Sequence, residues 1–281
     1  MTDFAALIGR RTDHPPVDVD AESMVAYALA TNDPNPRYVD TERDGGIVAP
    51  PLYVVRLAHP LIFKCVTDRE LDLDMLRIVH GEEDITWHAP IRPGDHVERY
   101  GILESISQKK SGVVIGWRLF LVVGGETRVE IVNTIFARGQ SLLEIGETVG
   151  TPSPRRAPPE GEPTLAGGAM KVDDDQADRY AAASLDRNPI HLDDAVAKSA
   201  GLPGVILHGL CTMAFASRAV VNHHCDADSS RLRRLSVRFS KPVLPGQTLS
   251  TWTIPGDGGL HVHVTNDAGD VVASGGWAEV S

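Results

Sequence analysis

The second half of the chain contains, at 180–191, the stretch Tyr-Ala-Ala-Ala-Ser-Leu-Asp-Arg-Asn-Pro-Ile-His. The first half contains Tyr-Ala-Leu-Ala-Thr-Asn-Asp-Pro-Asn-Pro-Arg-Tyr at 27–38, with tyrosine, aspartate and the Asn-Pro pair at the same spacing. Further on, the Pro-Gly turn at 89–95 aligns with the turn at 241–247, with an offset of one residue. A long segment that occurs twice predicts a duplicated domain, whereas a solenoid needs several short repeats.

Each half has the same predicted order of elements. A short helix ends near Asn-Pro, because the residue before a proline is driven out of the helical region. An apolar helix follows, at 52–64 in the first half and 209–222 in the second. Antiparallel strands joined by turns come next. They are predicted at 84–88, 97–105, 113–123 and 127–137, and again at 232–239, 248–254, 260–265 and 270–280. We therefore expect an α+β fold with two repeats, each with a sheet wrapped around a central apolar helix.

The clearest break between the halves is a proline-rich segment. The run at 151–163 is too rich in proline and polar residues for the interior of a sheet or helix. The predicted organisation is a first repeat at 1–140, a linker at 141–165 and a second repeat at 166–281. This agrees with a length of 281 residues, since a domain typically takes ~150 residues.

Composition excludes several classes of function. The formal charge of −11 argues against a general nucleic-acid or anionic-membrane binder. The longest apolar stretch, 205–216, contains a histidine and is shorter than the ~18 residues that a membrane span needs. The three scattered cysteines support neither a disulfide framework nor a zinc ribbon. We expect a cytoplasmic protein without a membrane span.

The chemistry is predicted in the second repeat. Asp186 and His191 are five residues apart with an Asn-Pro turn between them, so both side chains can converge on one water molecule. Histidine exchanges protons near neutral pH, and a carboxylate can hold its partner. Downstream, His208-Gly209 opens the apolar helix, whose first N–H groups and positive dipole end suit an oxyanion. An isolated match of this kind is equally consistent with an Asx-turn followed by a surface histidine.

Together these motifs resemble the MaoC-like (R)-specific enoyl-CoA hydratases of the hotdog fold, also called hydratase 2. The resemblance covers about 171–280 strongly, and Leu185 departs from the glycine usual in that family. It implies a double hotdog and a lyase that reversibly hydrates trans-2-enoyl thioesters to (R)-3-hydroxyacyl thioesters. In that mechanism Asp186 and His191 hold the water, and the Gly209 amide stabilises the thioester oxygen.

The resemblance also implies the surroundings of the reacting atoms. Asn188 supports the loop or orients the acyl group, Ser184 is a local capping hydroxyl, and His208 lies beside the substrate. No cofactor or metal is expected, because the thioester already makes the β-carbon electrophilic. The His-His-Cys run at 223–225 and the histidines at 261 and 263 do not form a convincing ligand set for a metal.

A basic group of residues has two interpretations. Arg238 and Lys241, with the arginines at 231, 233 and 234, form either a charged outer face or a site for the phosphates of CoA or phosphopantetheine. Both interpretations stay open at this stage. The expected partner is accordingly an acyl-CoA or acyl carrier protein thioester.

The first repeat has lost the catalytic pattern. Tyr38 stands in the histidine position, and Pro50, which has no N–H, stands in the position of Gly209. We therefore expect no catalytic site of its own there. Its expected role is to accommodate the acyl tail and to replace the second subunit of a hotdog dimer, with Asp33 bracing a turn.

Two other functions remain from the sequence alone. Hotdog proteins also hydrolyse acyl thioesters, although that chemistry uses a differently placed carboxylate. A non-catalytic acyl-binding subunit is the other alternative, suggested by the altered first repeat. Pairing of the whole chain into a homodimer is left open.

Overall fold

The computed structural model describes residues 2–154, 156–157 and 159–281, apart from the side chain of Leu76. The helices in these residues are α1 (Phe4–Leu7), α2 (Ala21–Ala30), α3 (Pro36–Val39), α4 (Tyr53–Val66), α5 (Gln176–Ser184), α6 (Asp194–Ser199) and α7 (Gly209–His224). The strands are β1 (Arg11–Asp18), β2 (Ile78–Trp87), β3 (His96–Lys109), β4 (Gly112–Val123), β5 (Glu126–Arg138), β6 (Thr148–Gly150), β7 (Thr164–Lys171), β8 (Leu232–Phe239), β9 (Thr248–Gly256), β10 (Gly259–Thr265) and β11 (Val271–Val280).

All the strands join one antiparallel sheet. Its order is β1-β3-β4-β5-β2-β8-β11-β10-β9-β7, and β6 pairs with β3 at one side. The first five strands of this order come from the first repeat and the last five from the second. The predicted duplication is thus visible in the sheet, as two five-stranded halves that meet where β2 pairs with β8.

The pairing of β2 with β8 joins the two repeats. Ile85 lies opposite Leu235, and both side chains are fully buried. On the other side of the strands, Arg234 donates to both oxygens of Asp84 at 2.8 and 2.7 Å. An apolar inner face and a charged outer face follow from the alternation of side chains along a strand.

The long helices α4 and α7 lie against the inner side of the sheet. In α7 the buried residues fall on nearly every side, from Cys211 to Val221, because β7, β8, β9 and β11 contact it. In α4 the buried residues run from Tyr53 to Val66 and contact β1, β3 and β4. The prediction of a central apolar helix in each repeat is confirmed.

The described residues 151–154, 156–157 and 159–160 of the proline-rich segment lie over the outer face of the sheet. Between that segment and the charged face lies a cavity of about 1260 Å³. Its lining includes ion-paired side chains such as Arg234 and Arg118, and Arg156 stacks over the Trp277 ring at 4.4 Å. The cavity is therefore on the side of the sheet opposite to the two long helices.

Candidate active site

The loop after α5 presents Asp186. Leu185 ends the helix in the left-handed conformation, with φ of 71°. The Asp186 N–H then donates to Ser184 Oγ at 3.2 Å, and Asp186 Oδ1 accepts the Asn188 N–H at 3.1 Å. The left-handed conformation explains why glycine suits this position, since a β-carbon is strained there by roughly 1–2 kcal/mol.

The same loop is built in the first repeat. Asn32 occupies the position of Leu185 and also has a positive φ, of 55°. Asp33 Oδ1 accepts the Asn35 N–H at 3.3 Å, as Asp186 does from Asn188. The repeated sequence therefore encodes one repeated turn, and Asp33 braces it.

Three side chains of the second repeat converge. One ligand-type atom from each of Asp186, His191 and His208 lies within 4.8 Å of the others. The rings of His191 and His208 stack, with centroids 3.7 Å apart and an angle of 26° between the planes. The predicted pair of Asp186 and His191 is thus brought together, and His208 joins it.

Hydrogen bonds to backbone carbonyls orient both imidazoles. His191 Nδ1 donates to the Ile206 carbonyl at 2.8 Å, and His208 Nε2 donates to the Asp186 carbonyl at 3.0 Å. A neutral imidazole carries one N–H, so the lone pair of His191 is on Nε2. That nitrogen is the one available to accept a proton from a reacting molecule.

Burial shapes the charges in this cluster. Burial lowers the pKa of His208 to about 3, and it also lowers the pKa values of His191 and His59. Burial acts on Asp186 in the opposite sense, but the attraction of the neighbouring histidines when they are protonated, together with the Asn188 N–H, lowers the pKa of Asp186. At neutral pH the site therefore holds a carboxylate beside neutral imidazoles.

Gly209 begins α7 directly after His208, which is the N-cap residue. The first N–H groups of a helix have no partner within the helix. A β-carbon at Gly209 would lie 3.1–3.2 Å from atoms of the Phe239 ring. A larger residue here would press on the aromatic ring, so the ring or the helix start would have to shift by a few tenths of an ångström. The stacking of His208 on His191 places this helix start beside the Asp–His pair.

Sequence reasoning missed one residue of the site. His59 of α4, in the first repeat, places Nε2 at 3.9 Å from Asp186 Oδ1, and both side chains are less than a third exposed. In the same helix, Arg56 Nη1 donates to the Ala183 carbonyl at 2.8 Å. No local motif marks His59. The sequence reveals His59 only through the alignment of α4 with α7, because that alignment pairs His59 with Arg218.

Asp33 of the first repeat has an equivalent neighbour, which comes from the long helix of the second repeat. Arg218 of α7 faces Asp33, and its charge opposes the burial that raises the pKa of Asp33 to about 6. Arg218 also donates to the Asn32 carbonyl. Between the two sites, the hydroxyls of Tyr27 and Tyr180 are hydrogen-bonded at 3.0 Å. Each repeat thus contributes a basic side chain from its long helix to the aspartate of the other.

The remaining predicted substrate residues have structural partners. Asn188 Oδ1 accepts the Ile190 N–H at 3.3 Å, so Asn188 caps the 3₁₀ turn that carries His191. Arg238 is on the outer face of β8, where it is ion-paired with Glu82, and Lys241 is 2.5 Å from Asp270. Phosphate binding by Arg238 and Lys241 stays a prediction, and these ion pairs are what a phosphate would have to displace.

The three converging residues do not suit a metal ion. The lone pairs of imidazole lie in the ring plane, and the two rings of His191 and His208 stack nearly parallel. Their lone pairs therefore lie in two nearly parallel ring planes, with centroids 3.7 Å apart, whereas a tetrahedral site needs ligands that point at one centre.

Known proteins share this architecture. Residues 156–259 match the family model of the MaoC-like domain, and residues 6–130 match that of the FAS1-like dehydratase domain region. The chain is 32% identical over 219 residues to a probable enoyl-CoA hydratase 2 of Dictyostelium discoideum, covering 74% of this chain and 71% of that one. The crystal structure of a MaoC-like dehydratase from Phytophthora capsici has a TM-score of 0.86 at 25% identity, covering 100% of this chain and 98% of that chain.

A Mycobacterium tuberculosis protein with a double hotdog fold has a TM-score of 0.64 at 15% identity, over 96% of this chain and 94% of that chain, which shows the fold alone. Fold and site therefore define a double hotdog protein with an Asp–His cluster in its second repeat. The chain belongs to the MaoC-like dehydratase family. The resemblance and the α+β double hotdog that the sequence predicted are confirmed.

Within the described residues, none of the helices has the length and apolar character needed to cross a membrane.

Proposed function

We propose that this protein is a hydro-lyase that reversibly hydrates trans-2-enoyl thioesters to (R)-3-hydroxyacyl thioesters. The observation that carries the proposal is the convergence of Asp186, His191 and His208 at the start of α7. Its membership of the MaoC-like family supports the same reaction, as does its relative named enoyl-CoA hydratase 2.

The spacing of the cluster suits one bound water. Two hydrogen bonds of about 2.8 Å that meet at a tetrahedral water span about 4.6 Å. The atoms of Asp186 and His191 lie within 4.8 Å of each other. A water held between the Asp186 carboxylate and the His191 ring is therefore within reach of hydrogen bonds to both groups, and Nε2 is the ring nitrogen free to take part.

Hydration then proceeds with balanced proton transfer. The water oxygen bonds to C3 while His191 Nε2 takes one of its protons, and the π electrons move towards the thioester oxygen. The Gly209 N–H stabilises the negative charge on that oxygen, an effect typically worth ~3 kcal/mol. The imidazolium, held beside the Asp186 carboxylate, returns the proton to C2. Each group ends in its starting state, and dehydration follows the reverse path.

The decisive experiment measures two products separately. Purified protein is incubated with crotonyl-CoA and longer enoyl-CoA esters, and the conjugated enoyl absorbance and free thiol are followed in parallel. Loss of absorbance without thiol release supports hydration. Thiol release would instead identify a thioesterase, and no change with any ester would identify an acyl-binding protein. Coupling to an (R)-specific 3-hydroxyacyl dehydrogenase reads the stereochemistry.

The finer assignments are part of the proposal. The thioester is carried by CoA or acyl carrier protein, and the first repeat accommodates the acyl tail. We place the enzyme in the cytoplasm, with Arg238 and Lys241 as candidate contacts for the pantetheine phosphates. Comparing kcat/KM for the two carriers, in wild type and in Lys241→Ala, tests the carrier and the phosphate contact together.

A further inference from the structure

A buried polar cluster lies where the two repeats meet. It consists of His80 and Glu83 of β2 and Asn133 of β5, and we call it the seam cluster. Glu83 is paired in the sheet with Asn133 on one side and Val237 of β8 on the other. Its side chain is 0% exposed, whereas the neighbouring Glu82 points to the outer face and pairs with Arg238. The Glu83 carboxylate therefore lies on the helix side of the sheet.

The seam cluster has more hydrogen-bond acceptors than partners for them. Asn133 Nδ2 donates to Glu83 Oε2 at 2.8 Å, and His80 Nε2 lies 3.0 Å from the same oxygen. Glu83 Oε1 and Asn133 Oδ1 are both buried without a hydrogen-bond partner. An unpaired buried acceptor is costly, so two in one cluster call for a donor. The group that fits there must carry O–H or N–H.

The seam cluster borders the candidate active site on two sides. The His80 ring is 4.9 Å from the Phe239 ring, which in turn lies against Gly209. On the other side, burial raises the pKa of Tyr27, and the negative charge of the Glu83 carboxylate adds to that rise. The Tyr27 hydroxyl is bonded to that of Tyr180, which contacts His208.

His80 is the partly exposed member of the seam cluster. The His80 side chain is 24% exposed, while the carboxylate behind it is completely buried. A thioester whose oxygen is held by the Gly209 amide would therefore meet Phe239 and then His80 as its acyl chain runs along the seam. The unpaired oxygens of Glu83 and Asn133 belong to the same cluster as the partly exposed His80 ring.

We propose that the seam cluster binds a hydroxyl group on the acyl chain, remote from the reacting double bond. This inference rests on the proposed hydratase function, since it uses the Gly209 amide to place the thioester. A hydroxyl donates to Glu83 Oε1 or Asn133 Oδ1, whereas an alkyl chain would leave both oxygens unpaired and cut off from water. Sites built to bind a substrate hydroxyl discriminate strongly against analogues that lack it.

The test compares matched substrates. Enoyl-CoA esters of graded chain length are prepared in three forms, with a terminal hydroxyl, a terminal methyl or a terminal ketone, which only accepts hydrogen bonds. We expect wild-type kcat/KM to be about tenfold or more higher for the hydroxyl form at one or more chain lengths. The ketone should be no better than the methyl form. Equal values for the three forms at every length would overturn the inference and leave a bound water as the occupant.

Variants of Glu83 test whether the seam cluster is the source of the preference for the hydroxyl form. Glu83→Met removes both acceptors at similar volume, so the ratio of kcat/KM for the hydroxyl form to that for the methyl form should fall to about one. If that variant does not fold, Glu83→Gln keeps the shape and should reduce the preference. Glu82→Met is the matched control, because its side chain points to the outer face, and its preference should equal that of wild type. A preference that survives in both Glu83 variants contradicts the proposal. Lack of hydration with every ester would contradict the proposed function instead.

Discussion

His59 Nε2 of the first repeat lies 3.9 Å from Asp186 Oδ1 of the second. This distance is too long for a direct hydrogen bond but suits a shared water. The contact means that the repeat without its own Asp–His pair still contributes a titratable side chain to the Asp186–His191–His208 cluster.

Replacing His59 tests that contribution. We expect His59→Phe to lower kcat/KM for hydration by about tenfold, because the Asp186 carboxylate and its water lose a polar neighbour. His59→Gln should restore part of the loss, since the amide can bond the same water. His96→Gln is the control, as His96 pairs with Asp18 on the surface. Wild-type kinetics in His59→Phe would show that the contact has no role in turnover.

The Asp–His pair itself can be removed without changing the turn. Asp186→Asn keeps an oxygen that accepts the Asn188 N–H, but it loses the negative charge. We expect Asp186→Asn and His191→Ala each to reduce kcat by ~10²–10⁴-fold, with unchanged circular dichroism. Asp33→Asn is the matched control in the equivalent turn and should retain activity. If Asp33→Asn proved as damaging as Asp186→Asn, catalysis could not be assigned to the second repeat.

The close approach of Phe239 to Gly209 makes a further prediction. In Gly209→Ala the added methyl group meets the ring at 3.1–3.2 Å, so the ring or the helix start must move. We expect kcat/KM to fall by about tenfold or more, since small displacements of an oxyanion donor are costly. Gly209→Ala combined with Phe239→Leu should recover activity, as measured by the same assay. No recovery in the double variant would mean that the ring is not the obstacle.

Replacing Tyr38 tests directly whether the first repeat takes part in catalysis. It occupies the position of His191, and its ring is fully buried. Tyr38→Phe keeps the packing of the ring and removes the hydroxyl, so kcat/KM should stay within about twofold of wild type. Stability should change by about 1 kcal/mol or less, as for most mild substitutions. A large loss of rate in Tyr38→Phe would reveal a catalytic role for the first repeat's tyrosine.

The lowered pKa of His208 predicts that the free energy of unfolding depends on pH. Its pKa is lowered to about 3 in the folded protein from 6.5 in the unfolded chain, mainly by burial. The unfolded chain therefore binds the proton first as pH falls, and stability is lost between pH 6.5 and about 3. The loss should be on the order of a few kcal/mol, shared with the neighbouring Asp186 and His191.

Thermal unfolding measured against pH checks this expectation. His208→Gln can still donate to the Asp186 carbonyl but has no proton to gain. Its melting temperature should therefore fall less steeply than that of wild type below pH 6.5. Parallel curves for the two proteins in that range would rule out His208 as a source of acid sensitivity.

Much of the molecule was determined by local sequence. The repeated Asp-x-Asn-Pro segment encodes the same side-chain hydrogen bonds at Asp33 and Asp186, because an Asx-type turn needs only residues within reach of its own backbone. The two apolar helices and the alternating strands follow from hydrophobic patterning. The start of α7 at Gly209 was predicted correctly, since glycine after the N-cap histidine is visible in the sequence.

The tertiary structure determined which side chains of one repeat contact the other. His59 reaches Asp186 across 127 positions. Glu83 meets Asn133, and His80 meets Phe239, only because β2 lies between β5 and β8. No spacing along the chain encodes such contacts, because they depend on how helices and strands that are distant in sequence pack against each other. The same packing pairs Arg238 with Glu82 on the outer face. The alternation of side chains along β8 allows Arg238 to lie on that face, but it does not say which residue Arg238 contacts.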